Sequence, residues 1–300
     1  MFSFPKIKCK EGEKLLEQER AVHIVSTFLL GLKIAMDCLD IDINIRDSDN
    51  MSFQYEWFMT CLYHDIGYVY EKRSSENDVR KIASDGINGI SDICGNNISI
   101  DEQIFKTYPE CIVDLYFRKR AECQKKGCID HGIIGGILLY NGLSNMFNIA
   151  WEHRLNKNQI TKDSFDACIS GRKLHYSTKH FEEYAKAADA IIMHNIWKKT
   201  LQEYIAKEFK WRKVRINPKV SCKNNPLCFI LCLADTIEPL KRALNTEDTI
   251  YFSFTPKLLK IHSDKEKIRK IYEEIKDCED WLDVNVCKKE EEVSVKICKE

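Results

Sequence analysis

The stretch Phe53-Gln54-Tyr55-Glu56-Trp57-Phe58-Met59-Thr60-Cys61-Leu62-Tyr63-His64-Asp65-Ile66-Gly67 decides how this chain is read. Its periodicity is helical: Trp57, Cys61 and His64 fall at i, i+4 and i+7, one face of a helix predicted over Phe53 to Tyr70. A histidine followed by an aspartate closes that apolar face. Gly67 stands where a helix ends or bends. Imidazole and carboxylate are the side chains that hold divalent transition metals, and burying them uncompensated is costly.

Working outward, the theme returns four times in order. His23 lies in a helix predicted from Glu11 to Leu39, among Val22, Val25, Leu29 and Met36, an apolar stripe expected to face inward. Asp130-His131 opens a very apolar helix reaching about Tyr140; Asp130 is either its cap or a carboxylate that orients His131. His194 aligns with Ala187 and Ile191 on a helix over Phe181 to Lys199. Asp235 aligns with Cys228 and Leu231 on a helix over Leu227 to Asp235. Six such groups on the inner faces of five helices predict a metal site inside a helical bundle.

Composition agrees. The chain has 300 residues, 44% of them hydrophobic, with only 6 Pro and 12 Gly, which favours long helices over many turns. Lys+Arg and Asp+Glu balance at 46 each, so nothing points to nucleic acid or an anionic membrane as main partner. The start lacks the apolar segment of a signal peptide. The apolar run from Ile133 to Trp151 is broken by Asn141, Asn145 and Asn148, unlike a membrane span. The 14 cysteines include no Cys-x-x-Cys pair and read as reduced thiols of a cytoplasmic protein.

Between these signals, Ile41 to Asn50 reads as a loop, and Arg73 to Asn97 as an exposed loop with a short helix at most. Pro109 to Lys126 reads as a helix with a basic end, and Trp151 to His180 as polar and mixed. After about Thr246 the pattern becomes β-β-α-β-β. His153, His175, His180 and His262 sit in polar surroundings and read as surface residues, His180 being also a candidate substrate contact.

The order His23…His64-Asp65…Asp235 resembles the defining His…His-Asp…Asp series of the HD-domain metal-dependent phosphohydrolases. The likeness extends to several local patterns. His64-Asp65-Ile66-Gly67 is similar to the frequent His-Asp-Ile-Gly. His131-Gly132-Ile133-Ile134-Gly135 and Ala190-Ile191-Ile192-Met193-His194 resemble the two extra histidine steps of the family's dinuclear branch. Leu233-Ala234-Asp235-Thr236-Ile237-Glu238-Pro239 is similar to the ending of HD enzymes that split dinucleoside tetraphosphates. The sequence departs from the pattern in the wide spacing around His131, and in Lys241 standing where an arginine is expected, with Arg242 next.

The resemblance, which covers about residues 11 to 245, implies a mainly α fold: an HD-type bundle over 1–245, with insertions near 74–128 and 151–180. It leaves the tail unexplained; by its own pattern, 246–300 reads as a small α/β appendage. The resemblance implies hydrolysis of a phosphoester or phosphoanhydride, in a nucleotide such as a cyclic nucleotide, cyclic dinucleotide or dinucleoside polyphosphate. His23, His64, Asp65 and Asp235 would ligate a first metal, and Asp65, His131 and His194 a second. His64 and Asp65 would stand nearest the chemistry. The implied cofactors are two divalent transition metals, manganese or iron first, with magnesium, nickel, cobalt or zinc also compatible. Lys72, Arg73, Lys241 and Arg242 are candidates for phosphate contact, and Asp130 for a supporting role. A di-iron oxygenase and a non-catalytic nucleotide-binding module on the same scaffold are the alternatives. The expected partner is a small phosphorylated substrate, with no membrane, and the oligomeric state is open.

Overall fold

A computed structural model describes residues 11–42, 52–95, 98–122, 128–155, 164–209, 219–238 and 250–298, apart from the side chains of 11–20, 72 and 73. The bundle begins with α1 (Glu11–Lys33), which runs on into a π-helical turn (Ile34–Cys38), followed by α2 (Phe53–His64) and α3 (Tyr68–Arg73). Then come α4 (Glu76–Asp85), α5 (Ile90–Cys94), α6 (Glu110–Glu122) and the long α7 (His131–Glu152). A hairpin of β1 (Ser164–Ile169) and β2 (Arg172–Ser177) leads to α8 (His180–Met193), α9 (Lys198–Glu208) and α10 (Pro226–Ile237). The C-terminal part holds β3 (Tyr251–Thr255), β4 (Leu258–His262), α11 (Lys265–Ile275), β5 (Val284–Lys288) and β6 (Glu292–Ile297). The fold is mainly α with a small C-terminal sheet.

That sheet is antiparallel, in the order β3-β4-β6-β5. The predicted β-β-α-β-β order is therefore observed. Alternation places Leu259, Ile261, Val293 and Val295 in the core, as period-2 patterning demands. The amphipathic α11 covers this face with Ile268, Ile271 and Ile275. Its apolar residues join those of the bundle in one continuous core.

Four expectations are corrected. First, the stripe Val22, Val25, Leu29 and Met36 faces outward, at 52%, 56%, 56% and 44% exposure. The buried face of α1 is instead His23, Thr27 and Leu30, continued by Ile34 of the π-helical turn. Both stripes have helical period; packing chooses between them. Gly31 lies on the inner side, where an added Cβ would stand 2.0 Å from the Trp57 ring. Trp57 is fully buried there, its indole N–H donating to the Phe28 carbonyl at 2.9 Å. Second, the segment after Arg73 is not an open loop. Ser75 and Asp78 form a capping box that starts α4, and Ile82, Ile87 and Ile90 are completely buried. Third, the helix expected over Phe53 to Tyr70 breaks at Asp65–Gly67 into α2 and α3. Fourth, α7 passes Tyr140 and continues to Glu152. Asn141 does not interrupt it, because its amide donates to the carbonyls of Ile137 and Ser99 and accepts from the Ser99 N–H.

The region 151–180, legible only as polar, contains the β1–β2 hairpin. Phe165 and Tyr176 of the hairpin and Phe147 of α7 make a separate small core there. Two helical stretches, 21–38 and 131–152, are long and apolar enough to cross a membrane by length and composition. Each places a histidine in the buried cluster at the centre of the bundle.

Candidate metal centre

The helix ends bring the six sequence-selected groups together. His23 projects from the middle of α1. His64 is the last residue of α2, and Asp65 is its C-cap. His131 is the first residue of α7, with Asp130 as N-cap. His194 is the C-cap of α8. Asp235 lies in the last turn of α10, and Glu238 caps that helix. The carbonyl ends of α2, α8 and α10 thus meet at one place, and helix C-termini carry partial negative charge that favours cations.

Two triads result, each with its potential ligand atoms mutually within 4.8 Å: His23, His64 and Asp65, and Asp65, His131 and His194. Asp65 belongs to both. Its carboxylate lies 3.7 Å from His23 Nε2, 3.3 Å from His64 Nε2 and 3.9 Å from His131 Nε2. Asp235 completes the first group, 3.1 Å from His23 Nε2 and 3.5 Å from His64 Nε2. The His64 and His194 rings are 5.6 Å apart, and the His131 and His194 rings 5.4 Å.

The outer nitrogens show what the inner ones do. His64 Nδ1 donates to the Cys61 carbonyl at 2.7 Å, and His194 Nδ1 to the Ile191 carbonyl at 2.6 Å. His23 Nδ1 faces the Glu238 carboxylate at 2.9 Å, and His131 Nδ1 faces Glu71 at 3.3 Å. A carbonyl or carboxylate oxygen lies against every Nδ1, so each ring can carry a hydrogen outward and leave its Nε2 for a ligand inside. Metal-ligating histidines are held in this way. Tyr68 stacks on His131 at 3.6 Å and fixes its plane.

This arrangement calls for positive charge. His23 Nε2 and His64 Nε2 lie only 3.3 Å apart, so two lone pairs would oppose one another unless a proton or a metal lies between them. Asp65, Asp235, Glu238 and Glu71 bring four carboxylates to the same imidazoles. Divalent cations would offset that charge, and mixed imidazole and carboxylate donors suit a transition metal. The residues could therefore hold a metal ion.

Local environments follow the same logic. Burial alone would push the His64 imidazole down, but Asp65 and Asp235 outweigh it and raise its pKa. Burial pushes His194 down to about 3; Asp235 opposes this and His131 and His64 add to it. His194 is thus a neutral donor throughout the physiological range. Burial tends to raise Glu71, yet its bonds with His131 and Cys128 keep the carboxyl below its usual value.

Asp130 acts as a cap: it accepts from the Ile133 N–H at 3.1 Å and from the Asn195 amide at 3.0 Å. It thereby ties the start of α7 to the end of α8, and so His131 to His194. The carboxylate against His131 Nδ1 is Glu71. Sequence reasoning missed Glu71 and gave Glu238 no role, although Glu238 lies inside the quoted Ala-Asp-Thr-Ile-Glu-Pro run. Lys72 and Arg73 close α3 directly after Glu71; their side chains fall outside the description, and Lys241 and Arg242 lie outside the described residues. His153 and His175 are exposed, and His180 and His262 only partly buried. The described cysteines are free thiols.

Gly67 sets the spacing of the site. A Cβ there would stand 1.9 Å from the His131 carbonyl oxygen. Only glycine lets the turn after His64-Asp65 approach the start of α7, which brings His131 to Asp65. Comparison with known proteins found no matching family model, no matching curated protein and no matching solved structure.

Proposed function

We propose that this protein is a metal-dependent phosphohydrolase of the HD type, cleaving a phosphoester or phosphoanhydride bond of a small phosphorylated substrate such as a nucleotide. The observation that carries the reading is the shared carboxylate: Asp65 belongs to both histidine triads, with the Nε2 atoms of His23, His64 and His131 at 3.7, 3.3 and 3.9 Å from it and His194 completing the second triad. A two-metal site of this kind supplies, when loaded, an activated water near neutral pH and neutralisation of phosphoryl charge.

The chain's own groups have separable roles in this reading. His23, His64 and Asp235 hold one side of Asp65, and His131 and His194 the other. Glu238 and Glu71 keep His23 and His131 in the Nδ1–H tautomer and raise their basicity. Tyr68 prevents rotation of His131. Lys72 and Arg73 follow Glu71 in the same short helix and remain the proposed candidates for contact with a substrate phosphate.

The test is to purify the protein without chelator, determine its metals, and assay cyclic nucleotides, cyclic dinucleotides, dinucleoside polyphosphates and nucleoside triphosphates with manganese or iron. Hydrolysis that disappears in His64→Ala while helical circular dichroism persists is the expected result. Stoichiometric metal with no turnover of any substrate, or undiminished turnover in His64→Ala, contradicts the proposal. Turnover that requires dioxygen would point to an oxygenase instead.

A further inference from the structure

The outward stripe of α1 and of the π-helical turn that continues it has the sequence spacing of a coiled-coil seam. Val22, Val25, Leu29, Leu32 and Met36 follow one another at alternating intervals of three and four residues, the a/d pattern of heptads. Four of the five are between 44% and 56% exposed, and Leu32 is half-buried. The buried, metal-facing side of the same helix, with His23, Thr27, Leu30 and Ile34, lies opposite. The inner face thus has its partners within the bundle, while a second apolar face, Leu32 of which also leans on the core, is left over among the described residues.

The patch continues beyond α1. Phe28 meets Phe58 of α2 edge to face at 5.9 Å, and Phe58 and Tyr55 are each 46% exposed. Large apolar and aromatic side chains present on the order of 200 Å² each when fully open. Val22, Val25, Leu29, Met36, Tyr55 and Phe58, about half open, therefore offer roughly 500–600 Å² when taken together. That is at the upper end of what the largest patch on a typical monomer shows, and most of the ~800 Å² per partner that a stable dimer covers.

We infer that this face is the homodimer interface: the α1 seam of one chain packs on the α1 seam of a second copy. Three features favour a second copy. A two-fold interface needs one patch used twice, and this patch is self-complementary, apolar on both sides of the axis. The five a/d positions hold no charge, so the seam carries no pattern that would select a charged partner. At its end, Lys33 and Asp37 already pair with one another within the helix. Leu29 lies midway along the seam and marks the centre of the contact.

The test uses the full chain in sedimentation velocity and light scattering from low to high micromolar concentration. The wild type is expected at twice the 35.1 kDa chain mass. Leu29→Glu and, independently, Met36→Glu should weaken association at least tenfold. Both should keep wild-type metal content, which reports that the opposite face of α1 is intact. Phe58→Ser gives a third, milder variant should a glutamate fail to fold. A wild type that is monomeric at every concentration overturns the inference, as does a dimer unchanged by all three substitutions. So does a monomer that binds phosphatidylcholine vesicles through this face, or one that dimerises only after residues 1–10 are removed.

Discussion

Replacing Glu238 by glutamine separates a metal-supporting role from a structural one. Glu238 is completely buried, and its carboxylate accepts from His23 Nδ1 at 2.9 Å. Glutamine has almost the same shape and can still accept that hydrogen, so the metal-free protein should change in stability by no more than about 1 kcal/mol. The loaded protein should differ. Losing the charge behind a ligating histidine typically lowers metal affinity about 10–100-fold, which is about 1.4–2.7 kcal/mol. With free metal well above the dissociation constant, the same amount is subtracted from the stabilisation that metal confers. At about 2–4 °C per kcal/mol for a chain of this size, the metal-dependent rise in Tm should shrink by roughly 3–10 °C. The assay is thermal unfolding with and without added manganese, beside a metal titration of both proteins. An equal loss of Tm in chelator and in manganese, with unchanged affinity, would show that Glu238 only fills space and would refute the reasoning.

Other consequences are open to direct measurement. Burial, followed by the neighbouring Glu183, raises the Glu56 carboxyl from 4.5 to about 7. The folded state therefore holds this proton more tightly than the unfolded one, so stability is fully present below about pH 4.5 and declines as pH rises through 7. Glu56→Gln should flatten that decline by about 1–2 kcal/mol; urea unfolding at pH 5 and pH 8 measures it, and equal slopes in both proteins would count against it. Gly67→Ala forces the α2–α3 turn away from the His131 carbonyl. It should cost about 1–3 kcal/mol or more and should impair the His131–His194 side first, seen as metal loss before unfolding. Trp57→Ala empties a fully buried site between α1 and α2 and should cost about 3–5 kcal/mol in chemical unfolding.

Much of the site was legible because its residues break a pattern. A histidine or aspartate on an apolar helical face is conspicuous, and His23, His64, Asp65, His131, His194 and Asp235 all announced themselves that way. Glu71 did not: it sits in a short polar helix, where a carboxylate is ordinary, and only the turn at Gly67 carries it back to His131. Glu238 follows the apolar run of α10, and nothing local shows that it faces α1. The helix boundaries at Asp65 and Glu152 depended on tertiary contacts, with Gly67 meeting the His131 carbonyl and Asn141 satisfied by Ser99. The orientation of α1 was beyond periodicity altogether. Two apolar stripes share the helix, and the choice between them rests on Gly31 and Trp57, which are far apart in sequence.

The central claim is that Asp65 joins two metal positions, and metal stoichiometry tests it most directly. Elemental analysis of protein prepared without chelator and saturated with manganese should give about two metals per chain. His131→Ala and His194→Ala should each leave about one, while Asp65→Ala should leave little of either. One metal per chain in the wild type, unchanged in His131→Ala and His194→Ala, would contradict the account and leave those two histidines as packing groups.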